Sequence, residues 1–110
     1  MVLIKKNFNN NYTEAKTVLE VTTFKTKSTA NTSTFNNLDA EVENNFTSKQ
    51  PGFIKRQSGI NENGDYVILV YWEPLQNAQA SMEKFMSDAS VAEYASMIDG
   101  ATTKMSRYVI

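Results

Sequence analysis

An α+β fold, in which an antiparallel sheet carries its helices on one face, is predicted by three features of this 110-residue chain. The first is Tyr66-Val67-Ile68-Leu69-Val70-Tyr71-Trp72, an unbroken apolar and aromatic run between Gly64-Asp65 and Glu73-Pro74. It is too short to span a membrane, and its β-branched and aromatic content reads as a strand shielded from water on both faces. The second is Phe35, Leu38, Val42 and Phe46, which recur at intervals of three and four and so share one face of a helix. The third is Asn61-Glu62-Asn63-Gly64, directly before the apolar run. Asn-Gly tolerates the positive φ of a tight hairpin, so the strands on either side should pair antiparallel.

Taken in order, residues 1–16 are polar and rich in asparagine after Met1-Val2-Leu3-Ile4. They are expected to form an N-terminal arm with a short edge strand at 2–4, leaving one domain over residues 17–110. Residues 17–25 carry Val18, Leu19, Val21 and Phe24 and predict the first strand. A polar loop over 26–32 leads to a helix over 33–48, for which Asn31, Thr32 and Ser33 all qualify as N-caps. Asp39, Glu41, Glu43 and Asn44 fall off its apolar stripe and are expected to solvate it. Pro51-Gly52 stops this helix before a second strand over 53–60.

After Pro74, Ala78, Met82, Phe85 and Met86 form one helical stripe, and Tyr94, Met97 and Ile98 form another. The break near Asp88 and the capping-box pattern Ser90-Val91-Ala92-Glu93 predict a fresh helix start, and Gly100 is placed to end that helix. Residues 102–110 supply the last strand. Strand, helix, strand, strand, helix pair, strand is the ferredoxin-like βαββαβ order. Helices cover one face of such a sheet. The other face of the doubly apolar strand needs a second layer that so short a chain cannot supply, so a homodimer is expected.

Composition removes whole classes of chemistry. Net charge is −1, from 11 basic and 12 acidic residues, which gives no electrostatic case for nucleic acid or an anionic membrane surface. Cysteine and histidine are both absent. There is then no disulfide, no thiolate nucleophile, no Ser-His-Asp triad, no imidazole metal ligand and no histidine for haem. Chemistry must come from Tyr, Trp, Asn, Lys, Arg, carboxylates or the substrate. The N-terminal apolar piece is far shorter than the roughly 7–15 residues of a secretory core, and its lysines follow it instead of preceding it. No segment approaches the ~20 apolar residues of a spanning helix. A cytoplasmic protein is the expectation.

The helix running into Gln50-Pro51-Gly52-Phe53, the hairpin, the strand from Asp65 to Glu73 and the helix bearing Phe85-Met86-Ser87-Asp88 together resemble the antibiotic biosynthesis monooxygenase domain. The resemblance covers roughly residues 17–110. It implies a dimeric α+β barrel, in which two ferredoxin-like protomers join their sheets face to face. It implies one of two activities: oxygenation of phenolic or quinol-type substrates without metal or flavin, or haem degradation. Trp72 matches the tryptophan that ends the third strand and lines the pocket. The haem-degrading members place a histidine where this chain has Tyr94, and an asparagine where it offers Thr22, or Thr23 one residue along. Both departures argue against haem, and the expectation is no cofactor.

The resemblance thus implies a monooxygenase for a small aromatic or hydrophobic molecule. Trp72 would stack on it, Tyr94 and Thr22 would orient its polar groups, and Phe46, Phe85 and Met97 would form the apolar wall. Tyr94 would serve as base if its pKa were lowered. Each residue also has a packing role open to it: Trp72 at the helix–sheet seam, and Tyr94 with Met97 and Ile98 along a helix. Met82, Met86, Met97 and Met105 would form either an adaptable wall or ordinary core. Lys55-Arg56 would steer an anion or simply lie on a solvated strand edge. The alternative function is a non-catalytic barrel that binds a small hydrophobic ligand or acts in stress response.

Overall fold

The computed structural model describes residues 16–110. Its elements are β1 (Val18–Thr26), α1 (Thr32–Asn45), β2 (Phe53–Ile60), β3 (Tyr66–Trp72), α2 (Leu75–Ser87), α3 (Ala92–Ser96) and β4 (Ile98–Val109). Single 3-10 turns occupy Thr47–Lys49 and Ala89–Val91. The strands lie in the order β2-β3-β1-β4, and every neighbouring pair is antiparallel. This is the ferredoxin-like α+β arrangement expected from the sequence. The arm, with its edge strand at 2–4, falls outside the described residues.

The two-residue period of a strand sorts β3 cleanly. Tyr66, Ile68, Val70 and Trp72 are buried, while Val67, Leu69 and Tyr71 on the opposite face are half-buried. In β1, Val18, Glu20 and Phe24 are buried on the same side, in register with Trp72, Val70 and Tyr66. Phe35 and Val42 of α1 and its C-cap Phe46 pack onto that side, joined by Ala78, Val91 and Tyr94 from the second helical segment.

Local hydrogen bonds set the boundaries. Of the three candidate caps, Asn31 serves: its Oδ1 accepts from the Thr34 N–H at 2.9 Å. At the hairpin, Asn61 Oδ1 accepts from the N–H groups of Asn63 and Asp65, and Gly64 takes φ +80°. Two expectations fail in the second helical segment. Asp88, not Ser90, caps the 3-10 turn that opens it, its Oδ1 accepting from the Ser90 N–H at 2.8 Å and the Ser90 hydroxyl at 2.6 Å, and α3 itself starts without a side-chain cap. Ser90 lies inside that turn and Val91 takes the N-cap position of α3, so the serine sits one residue too early to cap the helix. Gly100 does not end a helix either. Helix α3 stops at Ser96, and β4 already begins at Ile98, because a register shift after Thr23 pairs Lys25 and Thr26 with Asp99 and Ile98.

Candidate functional site

A cavity of about 370 Å³ opens between the helix-covered face of the sheet and helices α2 and α3. Phe24, Val42, Phe46, Ile68, Val70 and Phe85 give it apolar walls, and Glu20, Thr22, Arg56, Ser81, Tyr94 and Thr103 add polar groups. Each sheet residue arrives there by strand alternation. Thr22 follows Val18 and Glu20 on the inward face of β1, and Trp72 closes the inward row of β3.

Of the residues singled out from sequence, Trp72, Tyr94, Thr22, Phe46 and Phe85 lie around this cavity. Met97 is not among its lining residues. It forms the C-cap of α3, packs partly buried against the core, and its carbonyl accepts from the Lys27 N–H at 2.8 Å. The neighbouring Ile98 takes the lining position. Only Met82 and Met86 of the methionine set border the cavity, and Met86 is largely exposed.

Trp72 is buried and meets Phe53 edge-on at 6.0 Å. Its indole Nε1 is one of two buried side-chain polar atoms without a partner among the described residues, the other being Gln50 Oε1. A buried donor with no acceptor costs about 1–3 kcal/mol, so it calls for an acceptor from water or a ligand.

Beneath one wall lies a buried polar network that overturns two expectations. Asp39 does not solvate α1, and Arg56 is not on a solvated edge; both are buried. Asp39 Oδ1 accepts from Arg56 Nη2 at 2.7 Å and from the Tyr94 hydroxyl at 2.8 Å. Its Oδ2 accepts from Ser58 Oγ at 2.7 Å and Arg56 Nη1 at 3.2 Å. Glu43 adds a longer contact to Arg56 Nη1 at 3.4 Å. Burial alone would raise the Asp39 pKa, but the hydrogen bonds and charge of Arg56, helped by Ser58 and Tyr94, hold it below the usual carboxylate value.

The same network decides what Tyr94 can do. Burial first, then the adjacent Asp39 carboxylate, push its hydroxyl pKa well above the ordinary tyrosine value, against the weaker opposing effect of Arg56. Its proton is held by Asp39, so Tyr94 is not a general base. Its ring stacks on Phe35 at 4.8 Å and meets Phe85 edge-on at 6.3 Å.

Sequence reasoning passed over Glu20 and Arg107. Glu20 is buried on β1, and its Oε2 accepts from Arg107 Nε at 2.8 Å across the β1–β4 pair. A signal was available. Val18 and Phe24 fix the inward phase of β1, which puts Glu20 and Thr22 at core positions where polar side chains need a reason.

No protein-family model matches the sequence, and no curated protein matches it. Solved structures do share the fold. A candidate antibiotic biosynthesis monooxygenase from Caulobacter crescentus superposes with a TM-score of 0.72 at 14% identity, over 96% of this chain and 97% of its own. An N63A mutant of SnoaB, a cofactor-independent oxygenase from Streptomyces nogalater, gives 0.70 at 15% identity, over 87% and 94% of the two chains. A dimeric ferredoxin-like protein of unknown function from Thermobifida fusca gives 0.68 at 12% identity, over 87% and 92%. The fold is that of antibiotic biosynthesis monooxygenase-like proteins. Identities this low establish the fold and leave activity to the site.

Proposed function

We propose that this protein is a cofactor-independent monooxygenase for a flat phenolic or quinol-type molecule bound in the cavity. The observation that carries the reading is an apolar cavity bordered by Trp72, whose buried indole N–H lacks an acceptor. Trp72 supplies a stacking wall and a donor for a ligand oxygen. Phe46 and Phe85 complete the apolar wall, and Tyr94 and Thr22 orient polar groups. The oxygenase names of two fold neighbours support the same reading.

With neither His nor Cys in the chain, the substrate supplies the electrons. In the overall step a ring C–H of the phenol becomes C=O, and the phenolic C–OH becomes the second C=O. One atom of dioxygen enters the quinone, and the other leaves as water with the two displaced hydrogens. The protein contributes orientation and exclusion of bulk water.

We further propose a homodimer joined through the uncovered sheet face, where Leu19, Val21, Val67, Leu69 and Tyr71 lie in register. The neighbour described as dimeric supports it.

Oxygen uptake with a panel of phenols and quinols, without added metal or flavin, tests the activity. Turnover that falls in a folded Trp72→Ala variant is the expected result. The commitment of the Tyr94 proton to Asp39 favours a second reading, a non-catalytic binding protein. Binding of the panel with no oxygen consumption would replace the oxygenase with that reading.

A further inference from the structure

We infer that Glu20 receives the hydroxyl of the bound molecule, so that the cavity selects neutral hydroxyl-bearing aromatics over the corresponding ethers and carboxylates. The inference rests on the reading of this cavity as a site for a small aromatic molecule, though not on any turnover there.

Two buried carboxylates face the helix-covered side of the sheet, and they are satisfied to different degrees. Asp39 accepts four hydrogen bonds shared between its two oxygens, from Arg56 twice, Tyr94 and Ser58. That is the full capacity of a carboxylate, and it marks a group kept for structure. Glu20 is as deeply buried, at 5% exposure, and it lines the cavity. Among the described residues, Arg107 Nε holds its Oε2, and no hydrogen bond reaches its Oε1.

Burying a charge in an apolar wall is expensive, and a well-packed hydrophobic residue would often stabilise the fold as much or more. A carboxylate retained there with one oxygen unused is therefore poised for an external donor. Arg107 acts as the positioning residue. It neutralises the carboxylate and fixes it on the cavity side, in direct register across the β1–β4 pair.

The geometry also defines what is refused. An ether offers no donor to Oε1. A carboxylate ligand offers Oε1 no proton and brings a second negative charge against the one that Arg107 already balances. Trp72, on β3, is the diagonal neighbour of Glu20, because Glu20 pairs with Val70 and Trp72 lies two residues further along. Such diagonal neighbours stand about 7–8 Å apart, the scale of a fused-ring ligand with its polar group at one end.

Calorimetric titration at pH 7 with 2-naphthol, 2-methoxynaphthalene and 2-naphthoate tests this, since the three differ only in the group offered to Glu20. The full chain should bind 2-naphthol at least about tenfold more tightly than either analogue. In a Glu20→Gln variant the penalty against 2-naphthoate should shrink by about tenfold, because the amide is neutral and can donate. Equal binding of all three ligands to the unaltered protein overturns the inference while leaving the cavity as a ligand site. That comparison needs no variant, so it stands even if Glu20→Gln does not fold. Ratios unchanged in a folded Glu20→Gln variant also overturn the inference. If none of the three binds, the inference falls together with the reading beneath it. A naphthol preference without oxygen uptake by any phenol supports Glu20 and removes only the oxygenase.

Discussion

Replacing Asp39 with alanine should be among the most damaging single changes on α1, and its size follows from the contacts it removes. The substitution deletes four hydrogen bonds and strands Arg56, whose side chain is only 3% exposed. Glu43 remains as a counter-charge at 3.4 Å, but its own side chain is 39% exposed, so it compensates weakly. Removing one partner of a buried pair costs about 3–5 kcal/mol. At roughly 2.1 cal/mol/K of unfolding entropy per residue, a chain of this size should melt about 13–22 °C lower. Thermal melts followed by circular dichroism, with urea titrations for the free energy, measure this directly. The double change Asp39→Leu with Arg56→Met should recover most of the loss, because it removes both charges and fills the space. The pH dependence follows from the lowered Asp39 pKa. A carboxyl whose folded value lies below its unfolded value, about 3.9, stabilises fully above that value and loses its contribution as pH falls through the lower one. Acid destabilisation from this group should therefore appear below about pH 4 and vanish in Arg56→Met. A loss under about 1 kcal/mol in Asp39→Ala would refute the reasoning, since the pair would then behave like a surface contact.

Three other outcomes are expected. Gly52 and Gly64 share φ +80°, but a Cβ at Gly52 would collide with the Glu73 carbonyl oxygen and Asn77, whereas one at Gly64 would meet nothing within 4 Å. Gly64→Ala should cost about 1–2 kcal/mol of backbone strain, and Gly52→Ala distinctly more; equal losses in denaturant titrations would show that the crowding relaxes freely. Light scattering at micromolar concentration should give twice the 12.4 kDa chain mass, and Leu69→Asp on the uncovered sheet face should abolish that species; a clean monomer of the unaltered chain would defeat the dimer. Haem added to the purified protein should give no saturable Soret shift, because the chain has no histidine and Tyr94 keeps its proton; a tight one-to-one complex would overturn this.

Much of the fold was legible because the long helices carry their own period and β3 is an unbroken apolar run. The bounds of β2 and β3 follow from Gly52, the Asn61–Gly64 turn and Pro74, which are local punctuation. What the sequence hid was set by contacts between distant positions. The early start of β4 depends on a register shift in β1, some seventy residues away, so Gly100 looked like a helix terminator. Asp39 and Arg56 looked like solvated charges because each is read alone; their burial makes sense only once α1 lies across β2.

Glu20 is the instructive case, because its position was readable and its meaning was not. Alternation from Val18 to Phe24 turns Glu20 inward, and Asp39, four residues after Phe35 and three before Val42, falls on the buried face of α1. Yet Asp39 is the carboxylate whose hydrogen bonds are all filled inside the protein, and Glu20 the one with an oxygen to spare. A polar residue at a core position therefore poses a question that only its hydrogen-bond partners answer. Where they saturate it, the residue fixes packing; where they leave an acceptor open onto a cavity, the chemistry of the missing donor describes the ligand.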